Sequence, residues 1–370
     1  MTAPLIILAA GGTGGHVFPA EALAGTLLER RFRLALVTDK RGHAYGGVLG
    51  SLETHRIAAG GIFGLGLIGK ARGAIDLALG SLQALPLLAR LKPAAVVGFG
   101  GYASLPTMIA AILRKVPTAL HEQNAVLGRA NRMIFSRVDR IATSFPAVRF
   151  ASGAKVEITG NPVRPAIAAL RGWPYRLPEP GEPFRILVLG GSQGARTFSD
   201  VSPAALLGLP GEQQDRIDIS QQCRPEDLDR VRLAYAGSPI RTELQSFFAD
   251  VPQRLAAAHL VICRAGASTV AELTTIGRPA ILVPYPHAID DHQTANATAM
   301  SEAGAAWLMP QPDFTPATLG GRIAALIAAP ETLATRAAAA VELGRHDASA
   351  SLADLVARLT EATVTEEPAA

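Results

Sequence analysis

Short apolar runs of the kind that form buried strands alternate with helical stretches from the start of the chain, the pattern of parallel sheets covered by helices. Residues 5–10, 34–38, 94–99, 118–121 and 140–143 read as strands of one sheet, and residues 184–189, 217–221, 260–263, 280–284 and 306–309 as strands of a second. Both series open alike. An apolar strand runs into a glycine-rich turn, Gly11-Gly12-Thr13-Gly14-Gly15-His16 in the first and Gly190-Gly191-Ser192-Gln193-Gly194-Ala195 in the second, and a helix follows. Between the series, residues 171–183 hold Pro174, Pro178, Pro180 and Pro183 with two glycines. Such a stretch cannot continue a helix or a central strand, so it is the linker or lies beside it. The pattern predicts an α/β chain of two Rossmann-like parallel-sheet domains, residues 1–163 and 164–344, with a last helix at about 345–362 packing back on the first. Parallel sheets bind ligands at the carboxyl ends of their strands, so two such domains are expected to face each other across a shared cleft.

A length of 370 residues agrees with two domains of ordinary size. Hydrophobic residues at 49% and charged residues at 18% describe a well-packed soluble protein, with only residues 365–370 reading as loose. The N-terminus carries no basic region, apolar run and cleavage site in sequence, so the chain is expected to stay in the cytoplasm. Two cysteines, Cys223 and Cys263, are too few for a disulfide framework or a cysteine metal site and read as small buried residues.

Charge changes the picture more. Residues 1–160 carry 18 Lys plus Arg against 8 Asp plus Glu, and residues 161–370 carry 17 against 23, so the front half is about +10 and the back half about −6. One domain therefore meets an anionic surface. Aromatic residues make up only 5% and do not interleave with basic clusters, which favours a membrane leaflet over nucleic acid.

The candidate chemistry sits where predicted strands end. The turn at residues 11–15 lets the backbone approach a ligand closely, and the helix after it presents free N–H groups, which together make an anion or polar-ligand site. Its spacing is not the dinucleotide pattern. His16, at the mouth of this turn, titrates in the range needed to take a proton from a hydroxyl. The turn at residues 190–194 repeats the phosphate-cradle logic and adds the Ser192 hydroxyl and the Gln193 amide. A third loop, residues 264–272, opens a helix with small residues. Its Glu272 either grips the two hydroxyls of a ribose or complements the helix dipole. The polar segment at residues 287–296 follows another strand end, where a sugar would be read, and its two histidines and two aspartates do not match zinc spacing. His121-Glu122-Gln123-Asn124, Gly100-Gly101-Tyr102 and Gly160-Asn161-Pro162-Val163-Arg164 complete the set of strand-end motifs.

In their order and spacing these segments resemble the MurG-type enzymes of peptidoglycan synthesis, and the resemblance covers most of the chain. It implies the GT-B fold, with the acceptor on the N-terminal domain and UDP-GlcNAc mainly on the C-terminal one. Carried over by position, Thr13, Gly14 and Gly15 face diphosphate and acceptor, Asn124 and Arg164 contact the donor, and Ser192 holds phosphate. Phe248 stands where the family's backbone reads uracil. Ala267, Ser268 and Thr269 line the donor site, Glu272 binds ribose and Gln293 contacts the sugar. His292 replaces a glutamine of some relatives, and Phe248 is a substitution that only a backbone contact tolerates.

The implied reaction is inverting transfer of GlcNAc to the 4-hydroxyl of undecaprenyl-linked muramyl-pentapeptide. His16 is the candidate base, and helix N-termini and loop N–H groups stand in place of a metal or other cofactor. The lipid-linked acceptor gives the basic front half a reason, and peripheral attachment to the cytoplasmic face of the membrane is expected. The apolar run at residues 62–69 followed by Lys70 and Arg72, and Ile112-Leu113 before Arg114-Lys115, are the expected contacts. Neither run approaches the roughly 20 residues needed to span a bilayer. A diacylglycerol glycosyltransferase and a UDP-GlcNAc 2-epimerase are the alternatives on the same fold. A dinucleotide oxidoreductase would use Asp39 but fails on glycine spacing.

Overall fold

In strand β1 (Leu5–Ala9) every residue is buried, and alternate side chains enter different cores. Ile6 and Leu8 pack with Leu23, Leu27, Leu352 and Val356 on one face, whereas Leu5, Ile7 and Ala9 pack with Leu77, Leu88, Leu105 and Met108 on the other. A strand buried on both faces needs a continuous apolar run, which is why the period of two is invisible in its sequence. The computed structural model describes residues 3–12, 14–40, 46–61, 66–179, 181–191 and 194–365. Cα proximity divides the chain into one unit of residues 1–164 with 347–370 and a second of residues 165–346.

The first unit holds β1, β2 (Arg33–Thr38), β3 (Glu53–Arg56), β4 (Ala95–Gly98), β5 (Thr118–Glu122), β6 (Arg140–Thr143) and β7 (Val156–Ile158). Their order is β3-β2-β1-β4-β5-β6-β7 and every pairing is parallel, with Ile7 opposite Ala35 on one side and Val96 on the other. The second unit holds β8 (Phe184–Leu189), β9 (Ile217–Gln222), β10 (Arg241–Gln245), β11 (Leu260–Cys263), β12 (Ala280–Leu282) and β13 (Ala306–Leu308), in the order β10-β9-β8-β11-β12-β13, again all parallel. Both sheets reverse their strand order beside the first strand. The carboxyl ends of β1 and β4, and of β8 and β11, therefore flank the position where doubly wound sheets bind ligands.

Three strands carry no apolar run in the sequence: β3, β7 and β10. All three lie at sheet edges, pair on one side only, and are half-exposed, so no buried face imposes hydrophobic residues on them. The proline-rich stretch 171–183 lies beside the unit boundary and is stitched to the second unit. Tyr175 and Leu177 pack on that unit's core, and the Tyr175 hydroxyl donates to the His259 carbonyl at 2.9 Å. Arg278, almost fully buried, donates to the carbonyls of Leu255, Ile276, Gly277, Ala256 and Pro174. Burial lowers its pKa to about 10, and the five carbonyls satisfy a guanidinium that has no carboxylate beside it.

The chain returns to the first unit at its end. The helix Ala348–Thr365 places Leu352, Ala353, Leu355, Val356 and Leu359 in the core beside β1. Each such leucine or valine contributes about 1.5–3 kcal/mol on full burial.

The helix Leu67–Leu91 extends well beyond the apolar run at residues 62–69 named from the sequence. Lys70, Arg72 and Asp76 interrupt the run along the sequence, yet the helix is long enough to cross a bilayer and an 18-residue stretch within it reaches a mean hydropathy of 1.3. Gly73, Leu77, Gly80, Ala84 and Leu88 of this helix are buried against the first unit. Gly80 approaches so closely that a side chain would strike the Ala58 carbonyl. The opposite face exposes Ile68, Ile75, Leu79 and Leu82.

Candidate active site

In the first unit the glycine turn after β1 leads into the helix Gly14–Glu29. Thr13 lies outside the described residues. Gly14 and Gly15 form the first turn of that helix, and a Cβ on Gly14 would fall 2.8 Å from the Phe18 ring. The Arg164 guanidinium stacks over the same ring at 5.1 Å, so Gly14, Phe18 and Arg164 form one group.

His16 is half-buried and rests against the turn after β4. Gly101 adopts φ +70°, a left-handed conformation suited to glycine, and a Cβ there would crowd His16 Nε2 and Cδ2 at 3.3 Å. The glycines of Gly100-Gly101-Tyr102 thus keep open the space around the candidate base. On its other side His16 Nδ1 lies 3.1 Å from Gln123 Oε1.

The motif at residues 121–124 ends β5 and divides its work between the two sides of the strand. His121 and Gln123 point toward His16 and the β4 turn. Glu122 is turned away, and its carboxylate accepts from the Asn124 and Gly128 backbone N–H groups and the Asn124 and Asn131 side-chain amides at 2.8–3.3 Å. It fixes the loop that presents Asn124. His121 is fully buried. Burial lowers its pKa to about 4, with the nearby His16 a smaller cause acting the same way, and the hydrogen bond to the Gly160 carbonyl opposes the shift without reversing it. Its ring is therefore neutral at pH 7. After β7, Asn161 is buried with neither end of its side-chain amide hydrogen-bonded among the described residues. The sequence flags its motif but assigns Asn161 no role.

The second unit repeats the plan with different groups. Ser192 and Gln193 lie outside the described residues, and the residues on either side of them are described. Gly190 runs so close to the chain ahead that a Cβ would meet the Ala195 nitrogen. Its N–H donates to Gln222 Oε1 at 3.2 Å while Gln222 Nε2 donates to the Ser246 carbonyl, so one buried amide ties this turn to the loop after β10. Nothing in the sequence singles out Gln222. In that second loop the Phe248 ring is buried beneath the Arg254 guanidinium at 4.1 Å, and Glu243 and Asp250 hold that guanidinium. A ligand there meets the main chain around Phe248, not its ring.

Ala267, Ser268 and Thr269 form the first turn of the helix Ala267–Ile276, and Glu272 is buried in its second turn. The Ser268 hydroxyl is buried without a hydrogen-bond partner among the described residues. Burial, with Glu272 as a lesser cause, pushes the Cys263 thiol up to about 12, so this cysteine is an inert wall; both cysteines are buried and free. Arg264, the one cation of this loop, faces inward. It donates to the carbonyls of Val283 and Pro284 and to Gln311, bracing the ends of β11 and β12. The buried Asn296 amide braces the same loop through the Ala265 carbonyl. Gln293 accepts from the Tyr285 N–H at 2.9 Å, and His292 Nδ1 donates to the Ile289 carbonyl. No three His, Cys, Asp or Glu side chains converge among the described residues.

Two parallel sheets, of seven and six strands, each carrying a glycine turn and polar groups at its carboxyl edge, have the architecture of the GT-B fold. Models of the glycosyltransferase family 28 N-terminal and C-terminal domains match residues 6–143 and 185–356. The UDP-N-acetylglucosamine--N-acetylmuramyl-(pentapeptide) pyrophosphoryl-undecaprenol N-acetylglucosamine transferase of Paramagnetospirillum magneticum is 61% identical over 96% of this chain and 97% of its own. The protein of the same name from Rhodospirillum rubrum is 56% identical over 100% of this chain and 95% of its own. The crystal structure of MurG from Acinetobacter baumannii superposes with a TM-score of 0.78 at 28% identity, over 96% of this chain and 99% of that one. The chain belongs to glycosyltransferase family 28 and, within it, to the MurG-type enzymes.

Proposed function

We propose that the chain transfers N-acetylglucosamine from UDP-GlcNAc to the 4-hydroxyl of undecaprenyl-linked MurNAc-pentapeptide, converting lipid I to lipid II in peptidoglycan synthesis. The observation that carries this reading is 56–61% identity over essentially the whole chain to two transferases named for that reaction. The second unit holds the donor: the turn at residues 190–194 and the N-terminus of the helix Ala267–Ile276 bind diphosphate through N–H groups and the Ser268 hydroxyl, Glu272 takes the ribose, and Gln293 the sugar. The first unit holds the acceptor near Gly14, Gly15 and His16. The acceptor oxygen attacks the anomeric carbon as the bond to UDP breaks on the opposite face, and His16 Nε2 receives the hydroxyl proton, so configuration inverts. Asn124 and Arg164 are assigned to donor contacts.

Labelled UDP-GlcNAc offered with lipid-linked muramyl-pentapeptide or with diacylglycerol tests this reading. Transfer to the first acceptor alone is expected; transfer to diacylglycerol alone, or epimerisation of the nucleotide sugar without transfer, would replace it.

We also propose peripheral attachment to the anionic cytoplasmic leaflet. Supporting it are the helix Leu67–Leu91, whose exposed face carries Ile68 at 88% exposure and Leu82 at 63%, and Leu113 at 65% beside Arg114 and Lys115. Because the opposite face of that helix is built into the first unit, it lies on a membrane and does not cross one. Residues 62–65 of the apolar run named from the sequence lie outside the described residues. Cations such as Lys70 and Arg72 each contribute about 1 kcal/mol near an anionic leaflet. Co-sedimentation with phosphatidylglycerol vesicles is expected, and the double change Ile75→Glu and Leu79→Glu should weaken it by roughly tenfold or more. Equal binding to neutral vesicles would argue against the anionic preference.

A further inference from the structure

A histidine that takes a proton through Nε2 must carry its own hydrogen on Nδ1, and the groups behind His16 decide which nitrogen carries it. We infer that Gln123 and His121, anchored on the Gly160 carbonyl, form a relay that locks His16 in the Nδ1–H tautomer with Nε2 free, making both of them positioning residues for the transfer. The inference rests on His16 being the base of the proposed reaction, but each step follows from donor and acceptor chemistry alone.

The relay begins at a group whose role is not in question. A carbonyl oxygen can only accept, so His121 Nε2, 3.0 Å from Gly160 O, carries a hydrogen. His121 is neutral, because a fully buried imidazolium with no carboxylate beside it is disfavoured. Its Nδ1 is then a lone pair. Gln123 Nε2 lies 3.0 Å from that lone pair, 3.0 Å from the Phe99 carbonyl and 3.1 Å from the His121 carbonyl. All three are acceptors, so the amide end facing them is the NH2 group. The opposite orientation would press the amide oxygen against three lone pairs in a buried site, which settles the flip without reference to hydrogen positions. The Gln123 oxygen consequently faces His16 Nδ1 at 3.1 Å and can be satisfied there only by an N–H. Each assignment forces the next, from a backbone carbonyl 144 positions along the chain to the reacting nitrogen.

The geometry also explains why Nε2 is the usable nitrogen. Gly101 offers no Cβ where one would sit 3.3 Å from it, whereas Nδ1 is covered by the relay. When Nε2 takes the proton, Nδ1–H still donates to Gln123, so no group has to reorganise during the step. The orienting partner is a neutral amide, and the nearby Glu122 carboxylate is held on the other side of the strand by Asn124, Gly128 and Asn131. The alternation of β5 thus brings His121 and Gln123 to the ring and keeps the charge of Glu122 from it.

The test reads the ring directly. Long-range proton–nitrogen correlation spectra of the full chain with 15N-labelled histidine distinguish the two neutral tautomers, and His16→Gln assigns the signal. The expected result is the Nδ1–H form for His16 in the unsubstituted protein. In Gln123→Met, similar in shape but without the amide, the ring should shift toward the Nε2–H form that free histidine favours. kcat should fall about tenfold, the equivalent of one hydrogen bond, with the KM for UDP-GlcNAc changed less than about twofold. An Nε2–H tautomer in the unsubstituted protein overturns the relay, and so does a Gln123→Met variant with unchanged tautomer and kcat. The first measurement needs neither substrate nor variant, so it stands if Gln123→Met does not fold. A protein that shows the Nδ1–H form yet transfers no sugar overturns the proposed reaction and supports the relay.

Discussion

Replacing His16 with alanine is expected to lower kcat by roughly 10²- to 10⁴-fold while the KM for UDP-GlcNAc stays within about threefold. On the energy scale this removes about 3–5 kcal/mol from the stabilisation of the transition state. The split between kcat and KM follows from where the ring sits. His16 belongs to the first unit, against Gly101 and Gln123, whereas most of the groups assigned to the donor, from Gly190 to Gln293, belong to the second, with Asn124 and Arg164 of the first unit the exceptions. Losing the ring should therefore leave donor binding intact and slow the step in which the hydroxyl loses its proton. The fold should survive, because His16 is half-buried and water can take its place on Gln123. Initial rates at saturating acceptor with varied UDP-GlcNAc, together with thermal unfolding, separate these effects. An unchanged kcat would assign the base elsewhere, whereas a large rise in KM alone would move His16 into donor binding.

Acidification should destabilise the protein well above the range in which its carboxylates titrate. His121 is held neutral in the native state, with a pKa of about 4 set chiefly by burial, while in the unfolded chain it titrates near 6.5. Below about pH 6.5 the unfolded chain binds a proton that the native chain refuses. The stability contributed by the neutral ring is thus fully present above pH 6.5, declines as pH falls toward 4, and changes no further once both states are protonated. The slope is about 1.4 kcal/mol per pH unit, or about 3 kcal/mol across the window. His259 in the second unit behaves alike: burial first, then Arg185, lowers its pKa to about 4, and its Nδ1 accepts from the Arg185 N–H in the neutral form. Urea unfolding at about pH 7 and about pH 5 should show both units losing stability together. His121→Gln should flatten the slope for the first unit, and a wild-type protein whose midpoint does not move between these values would contradict the buried neutral histidines.

The architecture was legible wherever burial constrains sequence. Strands β1, β4, β8 and β11 lie inside their sheets and must be apolar on both faces, so their runs stand out. The edge strands at Glu53–Arg56, Val156–Ile158 and Arg241–Gln245 left no such trace. The proline stretch was legible only in part. Prolines mark where helix and strand cannot continue, but nothing in their pattern shows that Arg278, a hundred residues on, ties Pro174 into the second unit.

The site was legible in its motifs and opaque in its wiring. Glycines and a histidine at a strand end announce a ligand site. That Gln123 orients His16, that Glu122 instead fixes the Asn124 loop, and that Gln222 bridges two loops of the second unit depend on partners brought together by folding. Arg264 shows the converse, since a cation in a loop expected to bind the donor invites an anion, yet its donors brace two strand ends.

The return of the helix Ala348–Thr365 to the core beside β1 has a consequence for the order of assembly. The second unit is an insertion within the first, and all of its residues precede Leu352, Val356 and Leu359 in the chain. On a ribosome the contiguous second unit can complete its core while the first, although begun earlier, still lacks the helix that closes one face of its sheet. That face, with Ile6, Leu8 and Leu36, waits for the final stretch of synthesis. Folding would then run against the direction of translation, with the unit that begins the chain the last to become whole.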